Sequence, residues 1–139
     1  LVLYYCKMSD TKDDRELANE IKQHKSLKKV HFINGQSLVK SPTSLPPILE
    51  AVGGLPGIEE LELRMSGHKK ELPRNFLKYI AQYSKSLKSL LLSNVTIPDL
   101  QIKMLFDHQK SKLESLVLWN VKLDFRRLKI ICEELRDNT

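Results

Sequence analysis

The side chains of this sequence best suited to chemistry are Tyr4, His31, Glu62, Arg64 and Trp119, and their types suit binding better than reaction. Tryptophan, tyrosine and arginine are enriched where binding energy concentrates in protein interfaces. His31, Glu62 and Arg64 can form either a polar contact patch or a cross-strand ion network on a wet surface, and the network is the favoured reading. The patterns of catalysis are missing. None of the four histidines (His24, His31, His68, His108) stands four residues from another, so the helical zinc-ligand spacing is absent. The glycines of Gly53-Gly54-Leu55-Pro56-Gly57 are not followed by Gly-Lys-Ser/Thr and read as a helix end, not a phosphate loop. Carboxylates adjacent in sequence (Asp13-Asp14, Glu59-Glu60, Glu133-Glu134) diverge on a helix or strand and make poor acid–base couples. The expectation is a protein that is not an enzyme and carries no cofactor or metal.

What positions these residues is a recurring aliphatic string. It reads Leu-Val-Leu-Tyr-Tyr-Cys from Leu1, Leu-Lys-Lys-Val-His-Phe from Leu27, Ile-Glu-Glu-Leu-Glu-Leu from Ile58, Leu-Lys-Ser-Leu-Leu-Leu from Leu87 and Leu-Glu-Ser-Leu-Val-Leu from Leu113. Aligned on Leu1, Val30, Leu61, Leu90 and Leu116, the copies step by 29, 31, 29 and 26 residues. A period of this size marks a solenoid, whose units cannot bury their own apolar face and must stack. Strands are expected near 1–5, 28–33, 59–64, 88–93 and 114–119, paired in parallel because every return passes through a crossover. Alternation sends Leu1, Leu3, Val30, Phe32, Leu61, Leu63, Leu90, Leu92, Leu116 and Leu118 to the core. The opposite face then carries a row of Val2, His31, Glu62, Leu91 and Val117, and a second row of Tyr4, Ile33, Arg64, Ser93 and Trp119. A third row holds Lys29, Glu60, Ser89 and Ser115.

The crossovers read as helices. Residues 13–24 carry Leu17, Ala18 and Ile21 at helical spacing, with Asp13, Asp14 and Glu16 in the first turn. Residues 74–83 follow Pro73 and repeat Phe76, Leu77, Ile80 and Ala81; residues 99–108 follow Pro98 and offer Leu100, Met104 and Leu105. Residues 125–136 follow Asp124 as a cap and repeat Leu128, Ile131, Cys132 and Leu135. In the longest unit Pro42, Pro46 and Pro47 leave about two turns, 48–52.

Composition agrees with one domain: 139 residues, 41% hydrophobic and 29% charged, with no run near the 18 or so apolar residues of a membrane span. The net charge of +6 raises the question of nucleic acid. Yet Lys25, Lys28, Lys29, Lys69, Lys70, Lys85, Lys110 and Lys112 sit at helix ends and turns among acidic residues. They form no dense stripe studded with aromatics, so nucleic acid is not the expected partner. Cys6 and Cys132 are expected to be buried free thiols, since two such cysteines make no disulfide framework; a reducing, cytoplasmic location follows. The chain opens inside one string and stops where a helix should end, so a piece of a longer stack is expected.

The strings Leu90-Leu91-Leu92-Ser93-Asn94-Val95-Thr96-Ile97 and Leu116-Val117-Leu118-Trp119-Asn120-Val121-Lys122-Leu123, each followed by an amphipathic helix, resemble leucine-rich repeats. The helix-containing subclass of ribonuclease inhibitor and the receptor ends of NOD-like receptors fits best, and residues 128–139 are similar to its helix and exit turn. The resemblance covers residues 1–139 as one domain. It implies an α/β solenoid of about five repeats with open ends, parallel strands on the concave face and helices on the convex face. In one respect the chain departs from the pattern. The turn position that usually holds Asn or Cys carries Cys6, Gly35, Ser66, Val95 and Val121, while asparagines fall one place earlier at Asn34, Asn94 and Asn120. The turn is therefore expected to be built differently.

What the resemblance implies for function is a protein–protein interaction module. It would serve ligand recognition, autoinhibition or scaffolding in a larger intracellular protein, an innate-immune NOD-like receptor among the candidates. The partner is a protein ligand or another domain of the same chain. An F-box-type substrate adaptor, or a basic surface for nucleic acid or acidic lipid, is the alternative. The expected contact residues are Tyr4, His31, Ile33, Glu62, Arg64, Leu91, Ser93, Val117 and Trp119. Trp119 is either a contact or a residue covered by a neighbouring repeat.

Overall fold

The computed structural model describes residues 1–4, 7–8, 11–37, 46–67, 70–73, 75–109 and 113–136. Eight strands and five helices alternate among them: β1 (Val2–Tyr4), β2 (Lys7–Met8), α1 (Lys12–Gln23), β3 (Lys29–Ser37), α2 (Pro47–Gly53), β4 (Glu60–Met65) and β5 (Lys70–Glu71), then α3 (Phe76–Tyr83), β6 (Ser89–Ser93), β7 (Val95–Thr96), α4 (Asp99–Gln109), β8 (Ser115–Trp119) and α5 (Phe125–Arg136). The main sheet is parallel, in the order β1-β3-β4-β6-β8, so neighbours in space are successive along the chain. Two short parallel pairs are not announced by the aliphatic strings: β2 on β3, and β5 on β7, which form a separate two-stranded sheet.

The register carries the period. Val30, Leu61, Leu90 and Leu116 are successive partners across the sheet, as are Leu3, Phe32, Leu63, Leu92 and Leu118. Because alternate side chains share a face, these two rungs project together. They join the apolar stripes of the helices in one buried cluster, with Phe32, Ile48, Leu61, Leu63, Phe76, Leu77 and Ile80 shielded from solvent. The junctions repeat as well. The amides of Glu59, Lys88 and Glu114 each donate at 2.8 Å to the carbonyl of Lys28, Glu59 and Lys88, the residue one unit earlier.

Side chains tie each unit to the one before it. Ser84 Oγ, fully buried at the end of α3, donates to the Gly53 carbonyl at 2.7 Å. Asn94 Nδ2 donates to the Met65 carbonyl at 3.0 Å. Gln101, in α4, accepts from the Leu77 amide and donates to the Pro73 carbonyl, both at 3.0 Å. Two helix starts have local solutions. Thr11 and Asp14 form a reciprocal capping box on α1, and Asp124 Oδ1 accepts from the Arg127 amide at 2.9 Å, the cap expected for α5. Gly53 and Gly54 do end α2, though not by a left-handed turn. Gly54 has φ −85°, and a Cβ on Gly53 would stand 3.1 Å from the Tyr79 ring, so close packing of α3 favours the small residue.

Two helical stripes differ from expectation. On α4 the buried positions are Gln101, Ile102, Leu105 and Phe106; Met104 is half-buried, and the Leu100 side chain lies outside the described residues. A buried glutamine is invisible to a search for apolar periodicity. On α5 the covered stripe is Arg127, Ile130, Ile131 and Glu134, one residue off the expected Leu128, Ile131, Cys132 and Leu135. Cys132 is consequently a free, exposed thiol, contrary to expectation, and Leu128 and Leu135 are about half exposed. Among the described elements the main neighbour of α5 is α4, and Ile131 is the one residue of α5 that is buried. Leu1 keeps its place in the ladder, its carbonyl accepting from the His31 amide, but on the sheet edge it is 45% exposed. Cys6 and the prolines' loop at Pro42 lie outside the described residues.

The unusual turn has a backbone cause. Asn94 and Asn120 adopt left-handed conformations, φ 58° and 53°, which asparagine tolerates better than most residues. Asn120 Nδ2 also donates to Asn94 Oδ1 at 2.6 Å, and Asn94 in turn donates to Met65, so the pair forms a short ladder across three units. In the unit before, the left-handed residue is Gly67, φ 79°. Asn94→Ala should cost about 2–3 kcal/mol in urea unfolding, the sum of backbone strain and a lost hydrogen bond. Asn94→Gly should recover the strain and keep only the smaller loss. Equal losses for the two variants would show that the left-handed backbone is not the cause.

Candidate functional site

With the helices' apolar stripes on one side of the sheet, the other side carries the residues that alternation turns away from the core. The expected rows are real neighbours. Val2, His31, Glu62, Leu91 and Val117 are successive register partners, as are Lys29, Glu60, Ser89 and Ser115. Arg64, Ser93 and Trp119 also pair in sequence. Ile33 does not join them. The register between β3 and β4 shifts after Phe32, so that Gly35 is the partner of Met65, and Ile33 pairs with Tyr4 alone. An extra residue of this kind is a β-bulge, and it breaks a row that sequence counting drew straight. The Tyr4 side chain lies outside the described residues.

The face divides into two chemically distinct halves. Across β3 and β4 it is an ion network. Lys29 Nζ meets Glu60 Oε2 at 2.8 Å, His31 Nε2 meets Glu60 Oε1 at 2.7 Å, and His31 Nδ1 stands 3.5 Å from Glu62 Oε2. Glu62 also accepts from Nε of Arg64. One row earlier Lys28 pairs with Glu59 at 2.8 Å. The hydrogen bond and charge of Lys29, and then those of His31, hold the Glu60 carboxyl below its ordinary range; Glu60 in return raises Lys29. Lys28 does the same for Glu59. Such partly exposed pairs contribute little stability each, and their effect is to hold one another in place.

Across β6 and β8 the face carries no charge, and Leu91, Val117 and Trp119 stand on it among Ser89, Ser93 and Ser115. Leu91 is half-buried and Val117 exposed, and Trp119 is 69% exposed, which is unusual for the largest apolar side chain in the chain. Between this half and Arg64 lies an open groove of about 410 Å³, lined by Arg64, Met65, Leu91, Ser93, Asn94, Val117 and Trp119. Ser93 is on the expected face yet only 5% exposed, because it sits at the bottom of the groove between two large neighbours. Thus the structure brings together Arg64, Leu91, Ser93, Val117 and Trp119 in one concavity. His31 and Glu62 belong to the adjoining network, and Ile33 stands apart.

No protein-family model, curated protein or solved structure matches the chain.

Two groove residues, Met65 and Asn94, escaped the sequence reading because they stand one position past the strand rows. The signal for Asn94 was present in its recurrence as Asn120; Met65 offered none. Among the described residues no group of three or more His, Cys, Asp or Glu is placed to hold a metal ion, and no helix is long and apolar enough to cross a membrane.

Proposed function

We propose that the chain is a protein-interaction module of the leucine-rich repeat type, without enzymatic activity, that takes a protein ligand, or another domain of its own polypeptide, on the sheet face opposite the helices. The repeat reading is supported by strands that follow one another in sequence order and by bonds that recur at the sequence period. The observation that carries the functional reading is the apolar half of the face. Val117 and Trp119 are exposed and Leu91 half-buried beside them, none of the three belongs to the buried cluster, and they flank a groove. Isolated exposed apolar residues are ordinary, whereas a contiguous patch with a polar margin is typical of an interaction site. A phosphate-binding reading of the net charge is disfavoured, because the lysines beside the face are held by carboxylates. Ligand sensing or autoinhibition, in a cytoplasmic receptor of the NOD-like kind, is the setting that the sequence resemblance favours.

The test compares co-precipitation from cell extract by the chain, by a Leu91→Ser/Trp119→Ser double variant and by Arg126→Ala on the helical side. Partners retained by Arg126→Ala and lost by the double variant are the expected result. Partners that survive the double variant would place the interaction elsewhere and end this reading.

A further inference from the structure

The groove's lining says more than that something binds. Resting on the reading of this face as an interaction surface, we infer that its occupant is an extended stretch of a partner protein that carries one carboxylate. In that stretch a large apolar side chain stands two or three residues from an Asp or Glu. Arg64 is the only charged residue lining the groove, and its wall on the far side is Leu91, Val117 and Trp119. Glu62 engages the Arg64 Nε, which fixes the guanidinium from behind and leaves its terminal amino groups for a forked contact with a carboxylate. Among the described residues, no other acidic side chain is paired with Arg64.

Spacing selects the ligand's form. Arg64, Ser93 and Trp119 are register partners on three adjacent strands, so the cation and the indole are about 10 Å apart at the backbone. An extended chain covers that distance in about three residues, and the reach of the arginine side chain shortens it to two. Ser93 lies between them, at the bottom of the groove. Asn94 is not available to the ligand in the same way, since its amide is engaged by Met65 and Asn120. The acidic character of the occupant is confined to one carboxylate: Glu62, paired with Arg64, stands beside the groove's cationic end and disfavours a run of negative charges there.

Trp119 is the chain's sole tryptophan, so its emission reads the groove directly. The probe is an acetylated and amidated heptapeptide, Ser-Ser-Glu-Ser-Leu-Ser-Ser, with its isomer in which Glu and Leu are three apart. Controls replace Glu by Gln or Lys, or Leu by Ala. The expected result is a saturable blue shift with the Glu–Leu peptides, weakened about tenfold or more when Glu becomes Lys or Leu becomes Ala. Arg64→Gln should remove the advantage of Glu over Gln while leaving the residual apolar binding. Equal shifts with the Glu, Gln and Lys peptides would overturn the acidic specificity but leave the interaction face intact. So would a preference for Glu that survives Arg64→Gln. No shift with any peptide at millimolar concentration would overturn the inference as well, the wider reading then resting on the co-precipitation result. Saturable quenching of Trp119 by a single-stranded oligonucleotide, stronger than any peptide effect, would replace the occupant by nucleic acid and overturn it too.

Discussion

Phe32→Ala lowers the free energy of unfolding by about 3–5 kcal/mol, the loss that accompanies removal of a fully enclosed aromatic ring. Phe32 is the second member of a five-strand rung, between Leu3 and Leu63, and has no exposed surface. The strands on both sides are pinned by their own ladder bonds, and α1 and α2 lie over the same cluster. The surroundings therefore cannot close on the space left behind, and the cavity adds its cost to the lost burial. Urea unfolding monitored by circular dichroism measures the change, and the slope should stay that of the parent chain. The matched comparison is Trp119→Ala, a larger truncation on the other face, which should cost about 0.5 kcal/mol or less. Were Trp119→Ala to cost as much as Phe32→Ala, the apolar half of the face would be core, and the groove would not be a surface for partners.

Gln101→Leu destabilises the protein by about 1–3 kcal/mol although it places a more apolar side chain in a site that is only 2% exposed. The reason lies in the neighbouring helix. The first amides of a helix have no partner within it. On α3 the capping residue Asn75 makes no side-chain bond, so the Leu77 amide is satisfied by Gln101 Oε1 from the following unit. Leucine removes the acceptor and buries the orphaned N–H beside it. The Pro73 carbonyl loses Gln101 Nε2 but keeps the Phe76 amide at 3.0 Å, which limits the damage at that end. Hydrogen exchange at Leu77 provides a second reading. Its protection should fall by more than the global loss predicts, because the start of α3 is freed locally. An unchanged urea midpoint for Gln101→Leu would mean that the cap contributes nothing.

The parallel ladder was legible in the sequence because a strand's period is two and the same aliphatic string opens each strand of the main sheet. Leu61, Leu90 and Leu116 could be aligned by counting, and counting gives the register wherever no residue is inserted. The same arithmetic put His31 beside Glu62 and Leu91 beside Val117. It also drew Arg64, Ser93 and Trp119 into one line, the backbone of the groove. Short helices could be read from their proline and aspartate starts.

What the sequence could not determine depends on distances between units. The bulge after Phe32 is a local choice of backbone path, and it carried Ile33 out of the row that counting assigned to it. The inward side of α4 and α5 was set by the helices beside them. A burial stripe that includes Gln101 is favourable because an otherwise unsatisfied amide of α3 faces it, and Cys132 is exposed because the covered stripe of α5 runs through Ile130 and Ile131 instead. Periodicity along a chain is local and can be counted. Which polar group meets which orphaned partner is a property of packed surfaces, and only the folded arrangement decided it.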